Sequence, residues 1–339
     1  MKLSVLIPVF NEEKNLPAIH AALDSLSRRR ETLTIEGATQ ELDMTEYDWE
    51  FMFVNDGSTD ASLNILLDLR SRDQRVNVVN FSRNFGKETA LLAGMDFCDG
   101  DAVIIMDADG QDPVEVIPEM IWWWRQGYDD VYGERISRGK ESFMRKTLSL
   151  SFYKILQKFS KIDILSNSGD FRLLSRRAVN AVTQLRESQR YTKGLYCWVG
   201  FNKKAVRFDR SDRTRGKSSF NYSRLFNLAL DGITSYTTSP LRMASLLGFF
   251  VSALTLIYLI FVLCKYLIYG EAVRGYPTLV SLILFLGGVQ LLSLGIIGEY
   301  IGRIFTEVKQ RPPYIVESFN DRSPAEKISC RDAGRNKED

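Results

Sequence analysis

The chain has 339 residues, with 44 Lys and Arg against 42 Asp and Glu, and a formal net charge of +2. This balance excludes the strongly basic field typical of nucleic-acid-binding proteins. The single histidine, His20, falls in a helical pattern whose surface it is predicted to occupy, which argues strongly against histidine catalysis and histidine-ligated zinc. Four cysteines without metal or disulfide spacing indicate free thiols in a reducing compartment.

Strand and helix patterns alternate along the first part of the chain. Strands are predicted at 3–10, 50–55, 76–81, 102–106 and 130–133, and helices at 12–29, 61–72, 88–97 and 114–126. This alternation predicts an α/β domain with a mostly parallel sheet and helices on both faces. Asn11 is predicted to cap the first helix. The polar residues 31–48 are predicted to form an irregular surface insertion.

Two carboxylates follow the fourth predicted strand. Asp107 and Asp109 come directly after the apolar run 102–106, and Pro113 suits the first turn of the next helix. Open α/β sheets bind ligands at the carboxyl ends of their strands, where side chains at i and i+2 of an extended chain point the same way. Two hard oxygen donors favour Mg²⁺ or Mn²⁺ carrying a diphosphate, and the alternative is a polar turn without function.

Two further strand ends carry polar groups. Asp56 follows the strand 50–55, where it can accept hydrogen bonds from a ribose or a base, the alternative being an Asx turn. The segment 8–12 ends the first strand at the same edge. P-loop and G-x-G-x-x-G motifs are absent from the sequence. We therefore predict a nucleoside diphosphate site that contains Pro8, Phe10, Glu12, Asp56, Lys87 and Asp107.

Later segments offer groups for an acceptor and a donor sugar. The loop 133–140 is either a source of cations for a phosphate or a solvated basic loop. Asp170 is interpreted as facing the sugar or organising Arg172. The basic segment 207–218 is expected to close over the diphosphate or to contact lipid headgroups. The three consecutive tryptophans 122–124 are predicted to anchor a helix at a bilayer surface or a subunit contact.

The mean hydropathy of −0.14 hides two long apolar segments. Residues 246–268 and 279–297 each approach the ~20 residues that a bilayer span requires, and the alternative is a buried helical hairpin. Cations at the outer flanks place both termini in the cytoplasm by the positive-inside rule. The amphipathic pattern 148–161 predicts a helix that lies on anionic lipid or packs against the sheet domain. The predicted division is a catalytic domain 1–215, a juxtamembrane segment 216–240, two spans within 241–305 and a cytoplasmic tail 306–339.

Six motifs together make the chain resemble family-2 glycosyltransferases with the GT-A fold, specifically the polyisoprenyl-phosphate glycosyltransferases. They are Pro-Val-Phe-Asn-Glu-Glu from residue 8, Val-Asn-Asp-Gly-Ser from 54, Ser-Arg-Asn-Phe-Gly-Lys-Glu from 82, Asp-Ala-Asp-Gly-Gln-Asp-Pro from 107, Gly-Asp-Phe-Arg-Leu-Leu from 169 and Gly-Glu-Tyr-Ile-Gly-Arg from 298. One departure is Gly110, where relatives usually have leucine.

The resemblance implies transfer of a hexose, best glucose, from a UDP-sugar to undecaprenyl phosphate with inversion. The acceptor phosphate is already an anion at neutral pH, so no strong general base is needed. The resemblance implies Mg²⁺ or Mn²⁺ on Asp107, Asp109 and Gln111. It places the acceptor phosphate at Arg135, Arg145 and Ser149, to which the basic segment adds Arg213 and Lys217. The catalytic set is then Asp109, Asp170, Arg135 and Arg145.

The resemblance also implies a multi-pass enzyme of the bacterial plasma membrane that forms a homo-oligomer, a tetramer in this group. Three alternatives stay open. One is a different sugar: N-acetylglucosamine, a modified arabinose, or mannose in a GDP-mannose-dependent mannose synthase. Another is a processive polysaccharide synthase, for which two spans are too few and the motif Gln-x-x-Arg-Trp is missing. The third is a non-catalytic scaffold that binds nucleotide, against which the intact set of Asp107, Asp109 and Gln111 argues.

Overall fold

The computed structural model describes residues 1–135, 168–188, 190–208 and 275–320, together with isolated helical positions between 248 and 268. The described residues up to 208 and residues 312–320 belong to one compact unit. The helix that begins at Tyr276 belongs to a second unit.

Eight strands of the described residues form one sheet. They are β1 (Lys2–Val9), β4 (Asp48–Asn55), β5 (Val76–Phe81), β6 (Ala102–Ile105), β7 (Asp130–Arg135), β8 (Ser168–Ser175), β9 (Lys203–Phe208) and β10 (Val316–Phe319). Their spatial order is β10-β5-β4-β1-β6-β8-β7-β9. The four central strands β5, β4, β1 and β6 are parallel, as are β7 and β9. The prediction of a mostly parallel sheet is therefore confirmed, with β8 and β10 as antiparallel additions.

The register of the central strands aligns the ends that carry the predicted site. Val9 pairs with Asn55, and Leu6 pairs with Ile105. Asp56 then continues the pairing by donating its backbone N–H to Val9, and Met106 does the same to Leu6. The residues that follow β1, β4 and β6 therefore emerge together at one edge of the sheet, where such sheets bind ligands.

Helices cover both faces of this sheet because its central strands are apolar on both sides. In β1, the side chains from Leu3 to Val9 except Pro8 are almost fully buried. One face packs on α1 (Leu16–Ser27), α2 (Ser62–Arg72) and α4 (Ile117–Arg125), and the other on α3 (Lys87–Phe97) and α5 (Arg176–Gln184). A short helix, α6 (Thr192–Trp198), precedes β9.

The prediction that Asn11 caps the first helix is wrong. Helix α1 begins at Leu16 after Asn15, and Asn11 has a left-handed backbone with φ of 57°. The side-chain oxygen of Asn11 instead accepts the backbone N–H of Thr59 at 2.8 Å, and the backbone N–H of Asn11 donates to the hydroxyl of Ser58. An asparagine tolerates this conformation, so it links the loops after β1 and β4.

Residues 31–48 are not irregular. Most of them form a β-hairpin of β2 (Arg30–Ile35) and β3 (Ala38–Asp43), joined by a turn at Glu36 and Gly37, both with positive φ. The alternation of Thr32, Leu33, Thr34 and Ile35 is the strand signal that the polar composition hid.

Two other surface predictions are also wrong. Trp123 lies in the core with 7% exposure, and Trp122 and Trp124 pack against the same cluster, so the three tryptophans do not form a free anchor. His20 is half-buried, with Nε2 3.0 Å from a carboxylate oxygen of Asp73. Its place on α1 was predicted, but its partner was not.

Within the described residues, one helix is long and apolar enough to span a membrane. It is α7 (Tyr276–Val308), whose segment Phe285–Val308 has a mean hydropathy of 1.4 and contains the greater part of the predicted span 279–297. The predicted span 246–268 and the amphipathic pattern 148–161 lie outside the continuously described residues. Strand β10 follows α7 and was not predicted.

Candidate active site

A cleft of about 290 Å³ lies where the central strands end, as the sequence predicts. The segment after β1, Asp56 after β4, the loop before α3 and the turn after β6 all contribute to it. Seven predicted donor or metal residues line the cleft: Pro8, Phe10, Glu12, Asp56, Lys87, Asp107 and Asp109. The structure thus brings these residues together, and their roles stay predictions. Asn84, Gly86 and Ala90 also line the cleft and were not singled out.

Asp56 fixes the loop that precedes α3. Its two carboxylate oxygens accept the backbone N–H groups of Phe85 at 2.6 Å and Gly86 at 2.9 Å. Burial raises the pKa of Asp56, and these two hydrogen bonds oppose the rise. A carboxylate oxygen has more than one acceptor position, so Asp56 retains capacity for a ligand donor while it holds the loop.

Gly57 lets the same loop approach closely. Its φ is +65°, and a Cβ atom there would lie 2.5 Å from the carbonyl carbon of Arg83. Both the backbone conformation and the space therefore require glycine at this position. The sequence showed a glycine turn after Asp56, but not the loop 83–86 packed against it.

The turn after β6 is held by its own polar groups. Asp112 is buried and accepts the backbone N–H of Asp107 at 2.9 Å, while Asp109 accepts that of Gln111 at 3.1 Å. Gly110 has φ of 72°, a conformation that glycine adopts without strain. Asp112 was missed as a site residue, although it lies in the predicted motif, because its role is to shape the turn.

Lys87 joins the ends of two strands. Its Nζ lies 2.6 Å from Oδ1 of Asp107 and 2.5 Å from Oδ2 of Asp170. Lys193, which the sequence analysis did not select, lies 3.8 Å from the other oxygen of Asp170. Burial raises the pKa of Asp170, but the two lysines outweigh it and lower that pKa to about 2. The predicted sugar-facing carboxylate is therefore ionised and held between two cations.

The Arg172 guanidinium does not donate its hydrogen bonds to Asp170. It is buried, donates to both carboxylate oxygens of Asp130 at 3.0 and 3.2 Å, and lies 3.9 Å above the ring of Tyr196. This pair joins neighbouring strands β8 and β7 away from the cleft lining. The interpretation of Arg172 as a partner of the sugar-facing carboxylate is thus replaced by a structural ion pair in the core.

The predicted acceptor-phosphate residues are mostly beyond the described chain. The backbone of Arg135 ends β7, and its side chain is not among the described ones. The other four candidates, Arg145, Ser149, Arg213 and Lys217, lie outside the described residues. Their roles stay predictions.

The oxygen atoms of this turn suit a divalent cation that completes its coordination shell with oxygens of the substrate. Asp107 and Asp109 both face the cleft, and Oε1 of Gln111 is buried without a hydrogen-bond partner. Lys87 already places positive charge against Oδ1 of Asp107, at ion-pair distance. Among the described residues, no three His, Cys, Asp or Glu side chains form a ready metal cluster. Mg²⁺ sites commonly use one or two carboxylates plus phosphates, so the residues fit.

Comparison with known proteins identifies the family. The pattern of glycosyl transferase family 2 matches residues 4–183, and that of the GtrB C-terminal hairpin matches residues 239–304. The putative glycosyltransferase CsbB of Bacillus subtilis is 44% identical over 94% of this chain and 92% of its own. The bactoprenol glucosyl transferase of Shigella phage SfII is 42% identical over 96% of this chain and 100% of its own.

A solved glucosyl-3-phosphoglycerate synthase from Mycobacterium tuberculosis aligns with 17% identity and a TM-score of 0.43, over 69% of this chain and 79% of that one. The family assignment rests on the sequence matches, which extend across nearly the whole chain. The sheet, the cleft and these matches together define a glycosyltransferase with a GT-A-like α/β domain. The chain belongs to glycosyl transferase family 2 and carries the GtrB type of C-terminal hairpin.

Proposed function

We propose that this enzyme transfers glucose from UDP-glucose to a polyprenyl phosphate, with inversion at the anomeric carbon. An oxygen of the acceptor phosphate forms the bond to that carbon, the bond to the diphosphate breaks, and UDP leaves. The name of the phage SfII relative, 42% identical over its full length, supports both the sugar and the lipid acceptor. The products are a polyprenyl-phosphate glucose and UDP.

The observation that carries this proposal is the charge of the cleft. Its lining includes four carboxylates, Glu12, Asp56, Asp107 and Asp109, and one ammonium group, that of Lys87. Such a site repels a free diphosphate. A nucleoside diphosphate can therefore bind there only with a cation between it and the carboxylates.

Asp107 and Asp109 would hold that cation, Mg²⁺ or Mn²⁺, with Gln111 as the third predicted ligand. When bound, the metal would neutralise the charge that develops on the leaving diphosphate. Lys87 contributes a second positive charge at the same end of the cleft. Asp56 and Phe10 line the part that would receive the nucleoside, and Asp170, which pairs with Lys87, would face the sugar.

The acceptor requires no strong general base, because its phosphate is already an anion at neutral pH. The position of the histidine agrees with a reaction that needs no such base. The single histidine, His20, pairs with Asp73 and is not part of the cleft lining. The remaining requirement is to hold the phosphate against the anomeric carbon, the role we propose for Arg135, Arg145, Ser149, Arg213 and Lys217.

A membrane location supplies the lipid. The described residues up to 208 and residues 312–320 belong to one compact unit, so any membrane crossings between them would be even in number. The segment Phe285–Val308 would give one crossing, and the matched hairpin pattern, residues 239–304, supports a second at 246–268. We therefore propose a two-span protein of the bacterial plasma membrane, with both termini cytoplasmic and a homo-oligomeric, tetrameric assembly.

The test uses the full-length protein in detergent with undecaprenyl phosphate, Mg²⁺ or Mn²⁺, and labelled UDP-glucose, UDP-N-acetylglucosamine or GDP-mannose. Label should enter the lipid extract from UDP-glucose, and chelation should abolish transfer. Asp109→Asn should lower the rate about 100-fold or more, since it removes one electrostatic contributor at the leaving group. Asp68→Asn, which alters an exposed i,i+4 ion pair, is the matched control.

Transfer from another donor alone would overturn glucose as the substrate. Binding of nucleotide without transfer from every donor would favour the scaffold alternative. A fully active Asp109→Asn enzyme would remove the proposed metal site.

A further inference from the structure

The segment 312–320, here called the C-terminal segment, lies outside both matched family regions, yet it is built into the sheet. Its strand β10 runs antiparallel to β5, with Val316 opposite Phe81 and Phe319 opposite Val79. Asn320 extends the contact, because its side-chain oxygen accepts the N–H of Val78 at 2.7 Å. The segment thus covers the edge strand that leads into the loop 82–86 of the cleft.

The C-terminal segment contacts the chain where it enters this loop. Ser82, the first loop residue, donates its backbone N–H to the carbonyl of Ile315 at 3.1 Å. The ring of Tyr314 stacks on Phe81, with centroids 5.4 Å apart and planes inclined by 16°. Phe81 in turn meets the loop residue Phe85 edge to face at 5.6 Å.

The same segment also contacts the helix that leaves the loop. The hydroxyl of Tyr314 donates to Asp96 near the end of α3 at 2.7 Å, and Arg186 binds both oxygens of that carboxylate. The ring of Phe319 lies 5.2 Å from that of Phe97, the last residue of α3. The loop is therefore held from both sides, through β5 before it and α3 after it.

The loop held in this way carries the groups of the donor site. The N–H groups of Phe85 and Gly86 bind Asp56, and Lys87 begins α3. We infer that the C-terminal segment acts as a positioning element for the nucleotide-sugar site, with Tyr314 as its principal positioning residue. The inference rests on the proposed function, since it assigns the cleft to the donor. It means that the C-terminal segment, which follows the matched hairpin region, completes the catalytic unit.

The test compares three variants of the full-length protein in detergent. Tyr314→Ala removes both the ring stack on Phe81 and the hydroxyl bond to Asp96. Tyr314→Phe keeps the ring and loses only the hydroxyl. Ile315→Ala is the matched control, because this neighbouring side chain is 57% exposed and its backbone bond to Ser82 is kept. Amide hydrogen exchange is measured without nucleotide, and binding of UDP is measured by calorimetry with Mg²⁺.

For Tyr314→Ala we expect amide exchange of peptides covering 82–87 to rise about 10-fold or more. UDP affinity should fall about 10-fold, because the loosened loop is then in its binding-competent conformation for only part of the time. Tyr314→Phe should retain most of the affinity, and Ile315→Ala all of it. Unchanged exchange at 82–87 would overturn the inference, as would a rise spread evenly over the whole sheet unit. The exchange measurement needs no substrate, so its result stands even if the wild-type enzyme fails to transfer glucose.

Discussion

The ammonium group of Lys87 lies 2.5 Å from a carboxylate oxygen of Asp170, although 83 positions separate the two residues. Burial lowers the pKa of Lys87, but Asp107 and Asp170 raise it above its ordinary value. Burial also raises the pKa of Asp170, which Lys193 and Lys87 reverse to about 2. The pair is therefore ionised throughout the neutral range and connects the helix α3 to strand β8 across the cleft.

Lys87→Ala should reduce transfer strongly. Without its ammonium group, Asp107 and Asp170 lose their common counter-charge, and the diphosphate end of the cleft keeps only the proposed metal ion as a positive charge. We expect a fall of about 100-fold in kcat/KM for the donor, comparable to the loss of one electrostatic stabiliser in other enzymes. Initial rates measured over a range of UDP-glucose concentrations test this. The exposed Lys14→Ala is the control, and an equal rate for both variants would contradict the role of Lys87.

Gly57→Ala should weaken nucleotide binding through the loop it contacts. A methyl group at this position overlaps the backbone of Arg83, so the loop that binds Asp56 must move. Gly37→Ala is a matched control, because φ there is +84° but a Cβ would meet nothing within 4 Å. Both variants should lose about 1–3 kcal/mol of stability from the strained backbone.

Only Gly57→Ala should also lower the affinity for UDP, measured by calorimetry on the folded protein. Equal UDP affinities for the two variants would show that the close approach of loop 83–86 is not needed for binding.

The strand ends could be predicted from sequence because each one has a local signal. An apolar run followed by a carboxylate identifies β4 and β6, and parallel strands bring their ends to one edge. This is why Asp56, Asp107 and Asp109 were placed in one cleft before the structure was known. Helix ends were predicted less well, since Asn11 has the composition of a cap but serves the neighbouring loop.

The remainder depended on pairings between distant parts of the chain. Nothing local to Lys193 or Tyr314 indicates Asp170 or Asp96 as its partner. Strand β10 has only four residues and follows a long apolar helix, so its periodicity is too short to detect. The tryptophans 122–124 were misplaced because an aromatic cluster suits both a membrane surface and a core, and only the packing of α4 distinguishes them.

Asp130→Asn should destabilise the protein strongly without touching the cleft. Asp130 and Arg172 are both almost fully buried, so the change leaves a guanidinium charge uncompensated in the core. Loss of one partner of a buried pair costs about 3–5 kcal/mol. On the same strand, Glu134→Gln removes the partner of the largely exposed Arg207 and should cost less than about 1 kcal/mol. Urea unfolding in micelles compares the two, and equal losses would contradict this difference.

Acidification should weaken donor binding through Asp56 and Glu12. Burial raises the pKa of Asp56 above 3.8, although the two backbone N–H groups that donate hydrogen bonds to it oppose the rise. Burial likewise raises the pKa of Glu12 above 4.5, and the nearby charge of Asp109 adds to the rise. Both groups therefore bind protons at a higher pH in the folded protein than in the unfolded chain. Asp170 stays ionised over the same range.

Protonation of these two carboxylates should change UDP affinity and folding stability in opposite directions. Because the folded state takes up these protons first, the contribution of Asp56 and Glu12 to folding stability rises as the pH falls. UDP affinity should then decrease as the pH is lowered, because protonated Asp56 is a poorer hydrogen-bond acceptor for the nucleoside, with no loss of thermal stability caused by these two groups. Asp56→Asn should bind weakly and with a flatter pH dependence. His20→Gln, a change outside the cleft lining, should keep the wild-type profile, and a profile altered by His20→Gln but not by Asp56→Asn would refute the assignment to the two carboxylates.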